Sequence, residues 1–241
     1  MTSENVHEML MGLRQSGMAR AYQEQISNRA SDDLTREEFV FQMCIAQEEE
    51  NRKAALSRLK RAAKFRFEAQ PEDINWDSNR GLDKQKVRAL LLPDWTRRTE
   101  NVLLTGASGT GKSWLACAIG HALIRHSVTV KYVRTNPMLE QMRTGHLDGT
   151  ISRIRKTLAR PSVLILDDFG IAPISEQSKE DLFELLEART DLGSTIICGQ
   201  LAPSEWHDYL ATAHLADAIM DRLIQRSHRI ELKGDSLRPR L

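Results

Sequence analysis

The residues best suited to chemistry form the octapeptide GASGTGKS, which runs from Gly106 to Ser113. Its spacing matches the pattern GxxxxGK[ST], and it lies between an apolar run and a helical pattern, as a phosphate-binding loop requires. Glycine lets backbone amides approach an anion closely, and the dipole of the following helix favours negative charge. The stretch therefore predicts a loop that binds a nucleoside triphosphate, formed by Gly106, Ala107, Ser108, Gly109, Thr110, Gly111, Lys112 and Ser113.

Four polar side chains have separate expected roles at this site. Lys112 can reach the β- and γ-phosphates, and the Ser113 hydroxyl can bind Mg²⁺. Asp167 and Asp168 follow the apolar run VLIL. We assign support of Mg²⁺ to Asp167, and Asp168 is then the candidate base that polarises the attacking water. Adjacent acids also suit a solvated turn, but the loop upstream favours the metal and base interpretation.

The run STIICGQ ends in a third polar position, Gln200. If this run is a strand of a parallel sheet, its carboxyl end faces the ligand crevice. Gln200 then lies within reach of the γ-phosphate or the attacking water. A polar residue that simply faces solvent at a strand end is the alternative, and the run by itself does not decide between them.

The elements that must position these side chains alternate between strand and helix after residue 100. Strand-like runs are NVLLTG, TVKYVR, SVLILDDFG, STIICGQ and HRIELK, and segments with helical spacing lie between them. The continuous apolar run VLIL is typical of a parallel strand that is buried on both faces. The alternation predicts an α/β fold with a doubly wound parallel sheet.

The first 70 residues predict a small all-helical N-terminal domain that contacts DNA or a partner, and residues 71–241 the nucleotide-binding domain. Apolar residues in the first part recur at three- or four-residue intervals. Thr35 and Glu38 have the spacing of a capping box, which marks the start of a helix. Pro71 and the polar run after it mark the change between the two regions.

Residues 51–67 of the helical region contain basic side chains and no acidic one. At about 100° per residue, one flank of this helix collects five of them. These are Arg52, Lys53, Lys60, Arg61 and Lys64. Two interpretations are open: a solvated helix face, or a surface that contacts the phosphate backbone of DNA.

Bulk properties set outer limits on the function. The 241 residues carry a net charge of +1, so any basic surface must be local. Cys44, Cys117 and Cys198 lie far apart, which argues against a disulfide framework or a structural zinc site. No signal peptide is recognisable, and no apolar run approaches the roughly 20 residues that span a bilayer. We expect a soluble cytoplasmic protein without a membrane partner.

Taken in order, these motifs resemble those of AAA+ ATPases of the IstB type. Such proteins are transposition helpers, encoded beside the transposase in one class of bacterial insertion sequences. The chain also resembles the DnaC-type helicase loaders, which are relatives of the replication initiator DnaA. The resemblance covers nearly the whole chain and depends on NWDSNRGLDKQKVRALLLPDW, NVLLTGASGTGKSWLACAIG, LILDDFG, STIICGQLAPSEW and ADAIMDRLIQRSHRIELKGDSLR.

The resemblance implies roles that spacing does not give. Gln200 matches the sensor-1 position, where asparagine is commoner in the wider AAA+ class. Arg222, in MDRL, matches the arginine finger that reaches the nucleotide of a neighbouring subunit, where a guanidinium can stabilise the transferred phosphoryl group. Arg238, in DSLR, matches the sensor-2 arginine. Residues 136–158 are long enough for the extra helix of the initiator-like branch, and a C-terminal lid is expected to be missing or vestigial.

The resemblance also implies a function. The expected protein is an ATPase that binds ATP and Mg²⁺, forms a homo-oligomer with ATP at its subunit interfaces, assembles on double-stranded DNA and assists a partner transposase. DNA cutting and joining would belong to that transposase. A DnaC-like loader of a replicative helicase is the alternative. A small-molecule P-loop kinase is a third reading, for which no acceptor pocket or mobile lid can be identified.

Overall fold

In a computed structural model, which describes residues 3–28, 34–76, 80–210 and 213–237, the chain divides into two units. The units are Met1–Arg58 and Leu59–Leu241. The division between them falls inside a helix, so secondary structure does not mark it. The functional division predicted from the sequence, residues 1–70 and 71–241, stays a prediction.

The first unit is helical in its described residues. It contains α1 (Ser3–Gly12), α2 (Ser16–Ser27) and most of α3 (Arg36–Ala63). The predicted capping box is confirmed at the start of α3. The Glu38 amide donates to Thr35 Oγ1 over 3.2 Å, and the Thr35 amide donates to the Glu38 carboxylate over 2.8 Å. These hydrogen bonds lower the pKa of Glu38, so the cap is charged at neutral pH.

Helix α2 is held against α3 by a close backbone approach and a polar contact. A Cβ atom at Gly17 would lie 2.5 Å from the carbonyl oxygen of Ala46, so only glycine fits there. The Gln47 side-chain oxygen accepts hydrogen bonds from the amides of Gly17 and Met18, over 2.9 and 3.2 Å. These amides belong to the first turn of α2 and have no partner within that helix. Gln47 therefore satisfies the start of α2 from the neighbouring helix.

The second unit has a five-stranded sheet in its described residues. The strands are β1 (Asn101–Gly106), β2 (Val130–Arg134), β3 (Val163–Phe169), β4 (Ser194–Gly199) and β5 (Ser227–Leu232). Their order is β2-β3-β4-β1-β5, and all neighbours are parallel. The predicted strands and the parallel sheet are confirmed. Because β4 lies between β3 and β1, the carboxyl ends of these three strands are side by side.

Helices connect the strands and precede the sheet. They are α4 (Lys84–Leu90), α5 (Asp94–Arg97), α6 (Lys112–Arg125), α7 (Thr135–Asp148), α8 (Ile151–Ala159), α9 (Glu176–Glu187), α10 (Trp206–Leu210) and α11 (Ala213–Ile224). The segment predicted to hold an extra helix, residues 136–158, holds all but one residue of each of α7 and α8. Among the described residues, no helix is both long and apolar enough to cross a membrane.

The sheet is covered on both faces. On one face, Leu164 and Leu166 belong to an apolar cluster that includes Leu182 of α9 and Trp206 of α10. On the other face, a Cβ atom at Gly120 of α6 would lie 3.4 Å from the side chain of Ile165. Successive residues of β3 therefore face opposite layers, and every residue of the strand except Asp168 is buried, as the continuous apolar run VLIL predicts.

A buried arginine joins three segments near the amino ends of the strands. Arg189, just after α9, is 1% exposed. Its guanidinium donates to the carbonyl oxygens of Leu158, Ala159, Pro161 and Ser194, over 3.2, 2.9, 2.8 and 2.5 Å. Burial lowers the pKa of Arg189 to about 10, so the side chain is still charged at neutral pH. Arg189 thus provides hydrogen-bond donors to backbone carbonyl groups at the end of α8, in the loop before β3 and at the start of β4.

Replacing Arg189 by methionine keeps much of the apolar bulk but removes the donors to these carbonyl groups. We expect the free energy of unfolding to fall by about 3 kcal/mol or more, because hydrogen bonds from a charged group contribute about 1.5–3 kcal/mol each. Urea denaturation of the full chain measures the change. The matched control is Arg143→Met, which removes an exposed pair with Glu140 and should cost less than about 0.5 kcal/mol. Equal losses in the two variants would contradict the structural role of Arg189.

Candidate functional site

A cavity of about 550 Å³ lies at the carboxyl ends of β1, β3 and β4. Its volume is in the range of small-molecule binding sites. Of the residues singled out from the sequence, it is lined by Ser108, Gly109, Gly111, Lys112, Ser113, Asp167, Asp168 and Gln200. Residues far apart in the chain meet here because the strand order places three strand ends together.

The loop between β1 and α6 needs glycine for two separate reasons. A Cβ atom at Gly106 would lie 2.2 Å from the carbonyl oxygen of Leu232 on β5, which is too close for any side chain. Gly111 has a φ of 94°, in the left-handed region, and is the residue that precedes the first turn of α6. The amides at the start of α6 thus lie in the loop, where an anion is favoured.

The Lys112 side chain is held within this loop. It is 9% exposed. Its ammonium group donates to the carbonyl oxygens of Gly106 and Ala107, over 2.8 and 2.6 Å. The charge therefore lies beside the loop backbone that is predicted to hold phosphate.

The carboxylate of Asp167 is the most buried acid of the cavity, at 1% exposure of the residue. Its Oδ1 atom accepts a hydrogen bond from Ser113 Oγ over 2.8 Å, and its Oδ2 atom accepts one from the Tyr132 hydroxyl over 2.5 Å. Thr135 also donates to the Asp167 backbone carbonyl over 2.9 Å. The buried charge is satisfied on both oxygens, as a buried carboxylate requires.

Tyr132 is a site residue that the sequence analysis missed. It lies on β2, and the register of β2 against β3 pairs it with Ile165. Burial, together with the hydrogen bond to Asp167, raises the pKa of Tyr132 above its ordinary range. The phenol therefore stays protonated and donates to the carboxylate. Only the strand register, which the sequence does not reveal, brings this hydroxyl to Asp167.

Asp168 differs from its neighbour in backbone and exposure. Its φ is 58°, an unusual value for a residue other than glycine, although aspartate tolerates it. The pairing of β3 with β4 is irregular between Leu166 and Phe169. Its side chain is 33% exposed, against 2% for the Asp167 side chain. The local turn thus gives adjacent acids separate environments, one buried among donors and one open to the cavity.

Hard oxygen donors of Ser113 and Asp167 meet in the cavity, and this donor set fits Mg²⁺. Among the described residues, no group of three or more His, Cys, Asp or Glu side chains could hold a metal ion. A Mg²⁺ ion held by one or two protein oxygens, with phosphate and water as the remaining ligands, is the usual arrangement in phosphoryl transfer.

Gln200 lies directly after β4 and lines the cavity, with an exposed side chain. Arg238 lies outside the described residues. A segment near it is described: the Leu237 amide donates to the Gly109 carbonyl over 3.0 Å, and Leu237 lines the cavity. The chain after β5 therefore returns to the phosphate loop.

A smaller cavity of about 130 Å³ adjoins the loop and was also missed by the sequence analysis. Its lining is mainly apolar and includes Ile74, Leu82, Leu115 and Leu232. It shares Gly111, Trp114 and Leu237 with the larger cavity. Ile74 and Leu82 come from the segment before the sheet, so a local motif could not have identified this pocket.

Arg222 is not part of this site. It lies on α11, shortly before β5 begins, whereas the phosphate loop follows the end of β1. Because β1 and β5 are parallel, Arg222 lies at the amino ends of the strands, whereas the phosphate loop lies at their carboxyl ends. Its guanidinium pairs with Glu187, donates to the Ala218 carbonyl over 2.8 Å and lies 4.6 Å from the centre of the Phe183 ring.

The five basic residues predicted to contact DNA lie on or just after α3. All are exposed: Arg52, Lys53, Lys60, Arg61 and Lys64. Lys60 is paired with Glu68 over 2.5 Å. Lys64 has a φ of 55°, the left-handed conformation that commonly follows a helix end. Exposure is required for DNA contact but does not separate this function from that of a solvated helix face.

Proteins of similar sequence are ATP-binding proteins of insertion sequences. The family description "IstB-like ATP binding protein" matches residues 8–241. The insertion sequence ATP-binding protein y4pL of Sinorhizobium fredii is 41% identical over 95% of this chain and 92% of its own length. An ATP-binding protein in an insertion sequence of Mycobacterium tuberculosis is 32% identical over 96% of this chain and 92% of its own length.

Solved structures with the same fold are replication proteins. AMPPCP-bound DnaA from Aquifex aeolicus superposes with a TM-score of 0.60 at 18% identity, over 71% of this chain and 52% of that one. The DnaC helicase loader gives 0.59 at 18% identity, over 69% of this chain and 98% of that one. These likenesses show the P-loop AAA+ fold. With the family match over most of the chain, they identify this protein as an AAA+ ATPase that belongs to the family of IstB-like ATP binding proteins of insertion sequences.

Proposed function

We propose that this protein assembles on duplex DNA in an ATP-dependent manner and assists the transposase of its insertion sequence. The observation that carries the proposal is the single cavity in which the phosphate loop, the Ser113–Asp167 pair, Asp168 and Gln200 meet. The similarity to insertion-sequence ATP-binding proteins supports the transposition context. The likeness to the DnaC helicase loader concerns the fold and does not favour helicase loading.

The two cavities suit the two parts of ATP. The loop amides and Lys112 bind the phosphates, while Ser113 and Asp167 hold Mg²⁺, which neutralises phosphate charge. The smaller apolar cavity beside Gly111 takes the base, because a planar heterocycle buries well against Ile74 and Leu82. This orientation places the γ-phosphate toward Asp167 and Asp168.

Hydrolysis requires a base with an open side chain, and Asp168 meets this requirement. Its carboxylate accepts the proton of the attacking water, whose oxygen forms a bond to γ-phosphorus while the bond to the ADP oxygen breaks. Gln200 contacts the γ-phosphate or the water from the neighbouring strand end. Asp167 is less suited to the same role because it is 1% exposed and is assigned to Mg²⁺ in this proposal.

The Asp168→Asn variant should bind ATP normally and hydrolyse it at least about 100-fold more slowly, because general-base catalysis contributes about 10²–10⁴-fold. Asparagine also tolerates a positive φ, so the fold should be kept. The comparison variant is Asp167→Asn, which should instead weaken Mg²⁺-dependent binding. Nucleotide titration and phosphate release measure the two effects. Full hydrolysis by Asp168→Asn would remove this residue from the role of base.

Arg222 completes the site of a neighbouring subunit in this proposal. Its position at the amino ends of the strands, away from its own phosphate loop, excludes action within one chain but suits a head-to-tail assembly. There it would exchange Glu187 for the phosphates of the neighbour. Charge stabilisation in the transition state is the role of such an arginine.

Complementation tests this arrangement. Arg222→Ala and Lys112→Ala should each be inactive alone, since one lacks the finger and the other the phosphate loop lysine. In an equal mixture, about a quarter of head-to-tail interfaces would pair an intact loop with an intact finger. We therefore expect ATPase activity to return to about a quarter of the wild-type value. A mixture that stays inactive, although both variants assemble, would contradict a contribution between subunits.

The proposed DNA contact is tested by binding to a labelled duplex with ATP, with ADP and without nucleotide, while particle mass is monitored. We expect binding and growth in mass with ATP only. Neutralising Lys60, Arg61 and Lys64 should weaken binding and lower the slope of log K against log salt by about 2.7, at about 0.9 per phosphate contact.

The matched control neutralises three exposed basic residues of α4, Lys84, Lys86 and Arg88. It changes the net charge equally and should leave the salt slope unchanged. An unchanged slope in the α3 variant would remove that helix from the DNA surface. Failure of the wild type to bind duplex DNA with any nucleotide, together with capture of a replicative helicase, would favour the helicase-loader alternative.

A further inference from the structure

The segment just after α3 packs against α6, which belongs to the same unit. The Phe65 ring lies against Gly120, where a Cβ atom would come within 2.5 Å of it, and its centre is 4.3 Å from that of the His121 ring. His121 Nε2 lies 3.3 Å from the Phe67 carbonyl oxygen, and Ala69 is 1% exposed. The residues that precede and follow Arg66 in the chain, Phe65 and Phe67, therefore both contact α6.

These anchors direct Arg66 into the larger cavity, where it lies beside both acids. Its Nη1 atom is 3.8 Å from Asp167 Oδ2 and 3.7 Å from Asp168 Oδ2. These distances exceed those of direct N–H···O hydrogen bonds, about 2.7–3.2 Å. The side chain is 40% exposed. The guanidinium therefore balances the carboxylates electrostatically, and the partly exposed side chain lines the cavity.

Arg66 contributes to the charge balance of the cavity lining. Two cations, Arg66 and Lys112, and two anions, Asp167 and Asp168, line it. Without Arg66 the charged side chains of the lining would sum to −1, so Arg66 adds to the attraction that Lys112 and Mg²⁺ would exert on a triphosphate. Of the described arginines, Arg66 is the one in this lining, and Arg222 lies at the amino ends of the strands.

We propose that Arg66 binds the γ-phosphate of ATP within its own chain, so that the segment after α3 distinguishes ATP from ADP. This inference rests on the proposed orientation of ATP in the site. Arg66 lies beside the acids that would support Mg²⁺, at the part of the cavity where this orientation places the γ-phosphate. ADP lacks the γ-phosphate and forms no such contact. Because Lys64 and Phe65 connect Arg66 directly to α3, the contact ties the end of that helix to the nucleotide state.

Nucleotide affinity tests the proposal. The full-length Arg66→Ala variant is titrated calorimetrically with Mg²⁺ and either a non-hydrolysable ATP analogue or ADP. The expected Kd for the ATP analogue rises at least about tenfold, which equals about 1.4 kcal/mol. The Kd for ADP should change less than about threefold, which is about 0.65 kcal/mol. Arg66→Lys should recover part of the loss, because it keeps the charge but not the planar fork.

Amide hydrogen exchange gives a second readout that does not depend on activity. In the wild type, the ATP analogue should slow exchange in residues 65–68 more than ADP does. Arg66→Ala should remove this difference. Circular dichroism shows whether Arg66→Ala folds. If it does not, exchange of residues 65–68 is measured in Arg66→Gln instead.

The matched control is Arg125→Ala. Arg125 lies on α6, pairs with Glu72 and does not line the cavity. It should leave both affinities unchanged. Equal weakening of ATP analogue and ADP in Arg66→Ala, or no weakening of either, would overturn the role of Arg66 while leaving the nucleotide site intact. A wild type that binds neither nucleotide would overturn the proposed function and this inference together.

Discussion

The buried carboxylate of Asp167 is the group on which the arrangement of the site depends. A charge with 1% exposure is costly unless donors surround it. Ser113 supplies one donor from the start of α6, and Tyr132 supplies another from β2. The requirement to satisfy this charge therefore ties the phosphate loop to β2 and β3. These hydrogen bonds hold the loop and the oxygens that are proposed to bind Mg²⁺ in a fixed relation.

The two ends of the parallel strands differ: the carboxyl ends form the cavity, and the amino ends hold two arginines away from it. The carboxyl ends of the strands hold the cavity, and irregular loops can follow them because each connection leaves the sheet there. At the amino ends lie Arg189, which donates to four backbone carbonyl oxygens, and Arg222, which pairs with Glu187. From this end of the strands, Arg222 cannot act as the proposed finger in the site of its own chain. Its geometry therefore makes the proposed catalysis depend on assembly.

The segment that follows α3 connects the basic helix to the nucleotide cavity. Phe65 fixes its position through Gly120, and Arg66 lies beside the paired acids. The last turn of α3 and the residue after it carry exposed positive charge at Lys60, Arg61 and Lys64. In the proposed mechanism, the guanidinium of Arg66, two residues further on, contacts the third phosphate. In this proposal the nucleotide state affects the end of α3 directly, because only Lys64 and Phe65 separate Arg66 from that helix.

Sequence by itself determined the phosphate loop, the acid pair, the strands of the parallel sheet and the capping box at Thr35. Each of these depends on residues close in the chain or on a periodic pattern, and such signals are readable without neighbours. Tertiary structure alone decided that Tyr132 and Arg66 reach Asp167, that Ile74 and Leu82 form a second pocket, and that Arg222 lies away from its own loop. Those contacts depend on strand order, register and the path of the chain between elements. The physical reason is that these contacts form between residues far apart in the chain. A local sequence pattern does not indicate which distant residues will pack against it.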